Sequence, residues 1–318
     1  MNLSAHLPIL QVIVPLLSAP VAVLCRRGNV AFALATAASW TALGVAVALW
    51  VRIQSEGVIA YEIGSWPAPW GIEYRIDALS AFVLVLVAAV AAIVLPYCRR
   101  SIEAELPREQ HYLFYAIFGL CLAGLLGIAA TGDAFNIFVF VEISALASYA
   151  LIALGRDRKA LVASYQYLIM GTIGATFLVI GIGLLYLMTG TLNLADMRVR
   201  LTGVSDTRPV LTALAFISVG MSLKLALFPL HQWLPNAYAH APSAVSAFLA
   251  ATSTKVSIYV LLRFYFSVFG GNLVFDLGLR EVMLVLSLAA MFAASALAIV
   301  QSDLKKLLAY SSVAQIGY

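Results

Sequence analysis

LKLALFPLHQWLPNAYAHAPSAVSAFLAATSTK, residues 223–255, is the stretch on which the fold turns. Lys224 and Lys255 both lie inside apolar runs, and Pro229, Pro235 and Pro242 stand between them. Pro229 has no N–H to offer the carbonyl of Leu225, and Pro235 none for that of His231, so a helix entering from residue 209 must break or kink between them. Backbone freed in this way is tolerated at membrane depth where it lines a watery cavity or is buried in protein. Lys224 comes five residues before Pro229. The chain after it carries His231, Gln232, Asn236, Tyr238, His240, Ser243 and Ser246, all side chains able to order water.

Working outward, the composition sets this stretch in a bilayer. Of the 318 residues 63% are hydrophobic and only 11% charged, whereas a soluble domain carries about 25% charged residues. A soluble enzyme, a nucleic-acid reader and a secreted disulfide scaffold are thereby excluded. Apolar runs bounded by charges or by Pro and Gly predict helices at 7–24, 30–51, 76–97, 111–130, 134–154, 161–188, 209–228, 241–268 and 281–301. A tenth run begins after Lys305 and Lys306 and has about 12 residues before Tyr318, roughly 18 Å of helix against a hydrocarbon core near 30 Å. The expected fold class is therefore an all-α polytopic membrane protein of about ten transmembrane helices, the seventh broken at proline. The chain itself is expected to be a fragment of a longer one. Residues 7–24 have neither a basic leader nor a small-residue cleavage site and read as a first span, not a signal peptide.

Placing the loops alternately on two sides gives one face Arg26, Arg27, Arg99, Arg100, Arg108, Arg156, Arg158, Lys159, Lys305 and Lys306. The other face has Arg52, Arg75, Arg198, Arg200, Arg208, Arg263 and Arg280. The excess of basic residues puts the first face in the cytoplasm and the amino terminus outside, as expected of a multi-pass protein of the inner cell membrane. Of 19 Lys and Arg residues, Lys224 and Lys255 are left inside spans. Among the acids Glu142 alone lies well inside an apolar run, FNIFVFVEISALASYALIAL, while Asp77 and Asp133 stand at span starts, where they can act as N-caps.

These three interior charges are the candidate machinery. Glu142 lies about eight residues, roughly 12 Å, into its helix, and the two lysines about 14 residues into theirs, so all three can meet one interior layer. Each is costly in lipid unless it faces the bundle interior, a partner or water. A Glu142–Lys224 pair that merely holds two helices together is disfavoured, because such a pair can often be replaced by apolar packing and because Lys255 has no second buried acid. A buried lysine without a fixed partner is a group that can take up and release a proton. Glu142, Lys224, Lys255 and His231 are therefore the candidate proton-translocating residues. The rest of the chain offers no cofactor or metal site. Cys25, Cys98 and Cys121 have no metal-ligand spacing, four histidines on separate elements form no haem pair, and the GIG at 181–183 follows no strand. Gly171, Gly174, Gly181 and Gly183 read as close helix contacts.

With these residues in hand, the chain resembles the antiporter-like membrane subunits shared by multisubunit monovalent cation/proton (Mrp-type) antiporters, membrane hydrogenases and respiratory NADH:quinone oxidoreductase. Its pattern is nearest that of the D-type subunits of the Mrp antiporters. The resemblance is carried by GDAFNIFVFVEISALASYALIAL, MTGTLNLADM, the 223–255 stretch and SDLKKLLAYSSVAQIGY, and it covers essentially the whole chain. It implies that Glu142 takes the place of the family's glutamate on the fifth helix, Lys224 that of the lysine on the broken seventh, Lys255 that of the lysine on the eighth, and His231 that of the histidine in the break. Asn236 stands where many relatives have aspartate, and Tyr238 where several have histidine, with His240 nearby. The resemblance further implies two inverted five-helix repeats, each a half-channel: three helices in 1–110, the first repeat in 111–268, and the start of the second in 269–318. A fragment lacking the rest of the second repeat is expected not to transport alone. The activity implied is proton translocation in a hetero-oligomeric Na+ or K+/proton antiporter embedded in lipid. The alternative is a proton-pumping membrane subunit of an NADH:quinone oxidoreductase or membrane hydrogenase, with the electron-transfer chemistry in other subunits.

Overall fold

The apolar runs fold as helices whose ends are set by local chemistry. A computed structural model describes residues 3–205, 207–271, 274 and 278–318. In chain order the elements are α1 (Leu7–Cys25), α2 (Gly28–Glu56), strands β1 (Ile59–Glu62) and β2 (Glu73–Ile76), α3 (Ala78–Glu105), α4 (His111–Ala130) and α5 (Ala134–Ala153). There follow α6 (Arg158–Thr189), α7 (Leu194–Leu201), α8 (Arg208–Leu225), α9 (Trp233–His240), α10 (Ser243–Leu262), α11 (Leu279–Ile299) and α12 (Leu304–Gly317). Among the described residues nine helical segments are long and apolar enough to cross a membrane, in the places the apolar runs predict. Asp77 accepts from the Ser80 N–H and Asp133 from the Asn136 N–H, so both serve as N-caps, of α3 and α5 respectively.

The proline-broken span departs from expectation in detail. Helix α8 ends at Leu225, well before Pro229, because Ala226 takes left-handed backbone (φ 62°) and the chain turns through residues 226–232. Pro235 breaks nothing: it is the third residue of α9, and the first N–H groups of a helix have no intrahelical partner to lose. The long connection at 189–208, read as a loop, contains α7 with Leu194, Met197 and Leu201 buried.

An antiparallel hairpin, Ile59 opposite Ile76 through Glu62 opposite Glu73, was not legible as strands. It organises one face of the bundle. Gly132 N–H donates to Glu73 O at 2.9 Å, Tyr74 bridges Thr131, and Asp133 bridges Asn193. On the opposite face Ser243 N–H donates to Glu105 Oε2 at 2.9 Å and Lys305 Nζ to Ala241 O at 2.9 Å. The loops thus alternate between two layers.

Glycines bring α6 and α8 into backbone contact. A Cβ on Gly174 would lie 2.9 Å from Gly220 O, one on Gly220 2.6 Å from Gly174 O, and one on Gly181 2.6 Å from Ile217 Cγ1. Gly183 is not such a contact: a Cβ there would meet nothing within 4 Å. The α10 span continues past Leu262 as a π-helical turn, Arg263–Val268. From that turn Arg263 reaches 186 residues back to Asp77, with Nη1 2.6 Å from Oδ2 and Nη2 on Oδ1, while its Nε donates to Tyr259 Oη at 2.9 Å.

Burial pushes the Asp77 carboxyl up, but the Arg263 guanidinium and the Ser80 N–H outweigh it and hold the carboxyl below the usual carboxylate range. A carboxyl that titrates lower in the folded than in the unfolded chain stabilises fully above the unfolded value, about pH 4, and loses that contribution as pH falls through the folded value. Asp77→Asn, which keeps an oxygen to cap α3 but removes the charge that pairs with Arg263, is expected to cost about 2 kcal/mol near neutrality. Thermal unfolding in detergent at a series of pH values checks this: the gap to wild type should shrink below about pH 4, and a gap independent of pH would contradict the assignment.

Candidate functional site

Glu142 is the ninth residue of α5, held in register by the Asp133 cap, and Lys224 is the penultimate residue of α8. Their side chains meet, with Lys224 Nζ 3.4 Å from Glu142 Oε1. Lys224 is 4% exposed and the Glu142 side chain 26%. At the break the carbonyl of Leu223 accepts from the Ala226 N–H at 3.3 Å and also from Trp233 Nε1 at 3.1 Å. The Trp233 indole stacks on Tyr167 of α6 (centroids 3.9 Å, interplanar angle 1°), and Tyr167 meets Tyr149 of α5 edge-on at 4.6 Å. Tyr149 lies two turns beyond Glu142 on the same helix, so an aromatic chain joins the two helices that carry the ion pair.

A cavity of ≈ 20 Å³ lies beside the pair, bounded by Lys224, Ser144 and Tyr167 and, from α10, by Ser253 and Ser257. That is room for about one water, with hydroxyls around it. Ser253 and Ser257 stand two residues to either side of Lys255, and residues two apart project from nearly opposite sides of a helix. Lys255 accordingly does not line the cavity; its Nζ donates to Ala250 O of its own helix at 2.7 Å. The structure therefore joins Glu142 to Lys224 and leaves Lys255 on the other side of α10.

His231 occupies the turn between α8 and α9, 6% exposed. Its ring lies 5.2 Å from that of Phe228 and 6.3 Å from that of Tyr310 on α12, and its buried Nδ1 has no hydrogen-bond partner among the described residues. Other polar groups of the stretch are engaged with backbone: Tyr238 Oη donates to Leu249 O at 3.2 Å and Ser246 Oγ to Tyr238 O at 2.6 Å. Asn236 Nδ2 donates to Gln166 Oε1 at 3.4 Å, and His240 ends α9 half-buried.

Sequence reasoning passed over Tyr167, Trp233, Ser253 and Ser257. The two serines carried a signal, an i, i+4 hydroxyl pair on an apolar helix; the aromatic chain joins three elements and carried none. Chemically, the arrangement can hold a proton on Lys224 beside a counter-charge, with a water-sized space leading toward α10.

Residues 131–318 match the family model described as NADH:quinone oxidoreductase/Mrp antiporter, TM. The chain is 47% identical to the N-type subunit of the NADH-quinone oxidoreductase of Desulforudis audaxviator, over 99% of this chain and 63% of that one. It is 33% identical to the D-type subunit of the Na(+)/H(+) antiporter of Alkalihalophilus pseudofirmus, over 86% of this chain and 54% of that one. A chain in the solved structure of the Mrp complex from Dietzia sp. superposes with a TM-score of 0.89 at 30% identity, covering all of this chain and 58% of that one. The chain thus spans 54 to 63% of the length of these relatives.

Proposed function

Since the chain belongs to the NADH:quinone oxidoreductase/Mrp antiporter transmembrane family, we propose that it is a proton-translocating membrane subunit of a multisubunit monovalent cation/proton antiporter. The observation that carries this reading is the Glu142–Lys224 pair, its lysine 4% exposed, placed at a helix break beside a water-sized cavity. Glu142 balances the charge on Lys224. When the pair separates, Lys224 passes its proton to water in the cavity, past Ser253 and Ser257 of α10. Lys255 and His231 are later stations; because Lys255 lies on the far side of α10 from the cavity, transfer to it runs through water around that helix.

In this reading residues 111–268 form one half-channel and 269–318 open a second. The subunit works with other subunits of a hetero-oligomeric complex, moves protons against Na+ or K+, and sits in the inner cell membrane with its amino terminus outward, the orientation favoured by ten basic residues on one set of loops against seven on the other.

A second reading is favoured by the 47% identity to an N-type oxidoreductase subunit: the same residues pump protons driven by electron transfer. Everted vesicles carrying the full-length protein with its partners separate the two. Under an imposed proton gradient with no electron donor, adding sodium or potassium should dissipate the gradient if the chain serves an antiporter. Proton uptake driven by NADH with no response to either cation would replace the first reading by the second.

A further inference from the structure

A second cavity, of ≈ 220 Å³, lies on the hairpin face, just before the start of α5, and is unused by the proposed proton path. Arg75, Arg198 and Arg263 line it, with Asp77, Thr131 and Ser267. Their charges are not evenly matched. Arg263 is engaged with both oxygens of Asp77. The nearest carboxylate oxygen to Arg75 is on Glu73 at 3.8 Å, beyond hydrogen-bond reach, and that oxygen accepts from Asn193 Nδ2 at 3.1 Å instead. Arg198 has no carboxylate within ion-pair distance among the described residues. Of the other acids near this face, Asp196 pairs with Arg200 at 2.9 Å, and Asp133 accepts from the Asn136 N–H while burial pushes its carboxyl up, toward the uncharged form. The start of α7 also borders the cavity, but Asn193 caps its N–H groups, so the charged donors left over belong to Arg75 and Arg198.

Two guanidinium forks facing one cavity suit a tetrahedral oxyanion such as a phosphate group. The surroundings indicate where that phosphate comes from. Leu262 and Phe266, 36% and 46% exposed, adjoin Arg263 and Ser267 on the α10 span, and Leu79 and Phe82, 40% and 54% exposed, follow Asp77 on α3. Exposed apolar side chains thus stand close in sequence to residues that line the cavity, on two membrane-spanning segments. The hairpin that carries Arg75 also presents Trp66 and Trp70, 69% and 86% exposed, the residue type enriched where a bilayer meets water.

We propose that this cavity binds the phosphodiester of an anionic phospholipid, held between Arg75 and Arg198, with its acyl chains along the exposed apolar residues of α3 and α10. The test uses the full-length protein with its partners in nanodiscs containing phosphatidylcholine and phosphatidylglycerol, with native mass spectrometry reporting the lipids retained. Wild type should retain phosphatidylglycerol preferentially, and Arg75→Gln/Arg198→Gln should lower that retention about a hundredfold, about tenfold for each charged hydrogen bond lost. Arg198→Gln alone, at an exposed residue with no carboxylate partner among the described residues, keeps the test valid if the double variant fails to assemble and should lower retention in the same direction. Arg99→Gln/Arg100→Gln, on the opposite face, should leave retention at this site unchanged. Retention unaffected in both the single and double variants, or equal for the two lipids, would overturn the proposal. So would displacement of the lipid by millimolar inorganic phosphate alone, which would make this a site for the free ion.

Discussion

Full-length protein carrying Lys224→Met should be destabilised by about 3 kcal/mol, and adding Glu142→Gln should restore most of that loss without restoring proton movement. Methionine fills nearly the same space as the lysine stem, so packing changes little. What remains is a carboxylate 26% exposed whose cation, 3.4 Å away, is gone. Removing one member of a buried pair costs more than the pair contributes, because the other charge is left uncompensated; replacing both removes that penalty. Thermal unfolding of the purified complex gives the stabilities, and a double-mutant cycle gives the coupling. If the single and double variants were equally unstable, the two side chains would not be partners.

Gly220→Val should cost about 3 kcal/mol or more and uncouple transport as well. A Cβ at Gly220 would stand 2.6 Å from Gly174 O and 2.9 Å from Leu178 N, and neither backbone atom can move without shifting α6. The only relief is for α8 to retreat. Lys224 is one turn beyond Gly220 on that helix, so the retreat draws it from Glu142. Gly183→Val, on the same span as Gly174 but with nothing within 4 Å of its Cβ, is the control and should change stability by less than about 0.5 kcal/mol. Assembly yield and melting temperature of the two variants, measured together, check this.

The membrane spans were legible because bilayer thickness fixes the length of an apolar run, and Asp77 and Asp133 marked two helix starts because an N-cap is a local matter. The break after Leu225 was legible as an event but not in position, since proline tells which N–H is missing and not which residue absorbs the turn; Ala226 does. The hairpin escaped notice because strands of four residues leave little periodicity and are held here by contacts to Thr131 and, through Gly132, to the next span. Arg263, near the end of the 241–268 run, counts with the loop cations in the sequence. Its partner Asp77 is 186 residues away, and no pattern along the chain announces such a pairing. In the site, Glu142 and Lys224 stood out because a charge inside an apolar run is costly. That Lys255 faces away from the cavity follows from its spacing to Ser253 and Ser257, but only once those serines are known to line it.

The central claim is that Glu142 and Lys224 form the working part of a proton path. It is tested most directly by the proton movement that follows sodium or potassium addition to everted vesicles containing the full-length complex with Glu142→Gln. Assembly is verified in the same vesicles by recovery of the partner subunits. Loss of cation-dependent proton movement with assembly intact is the result expected; movement at the wild-type rate would contradict the claim.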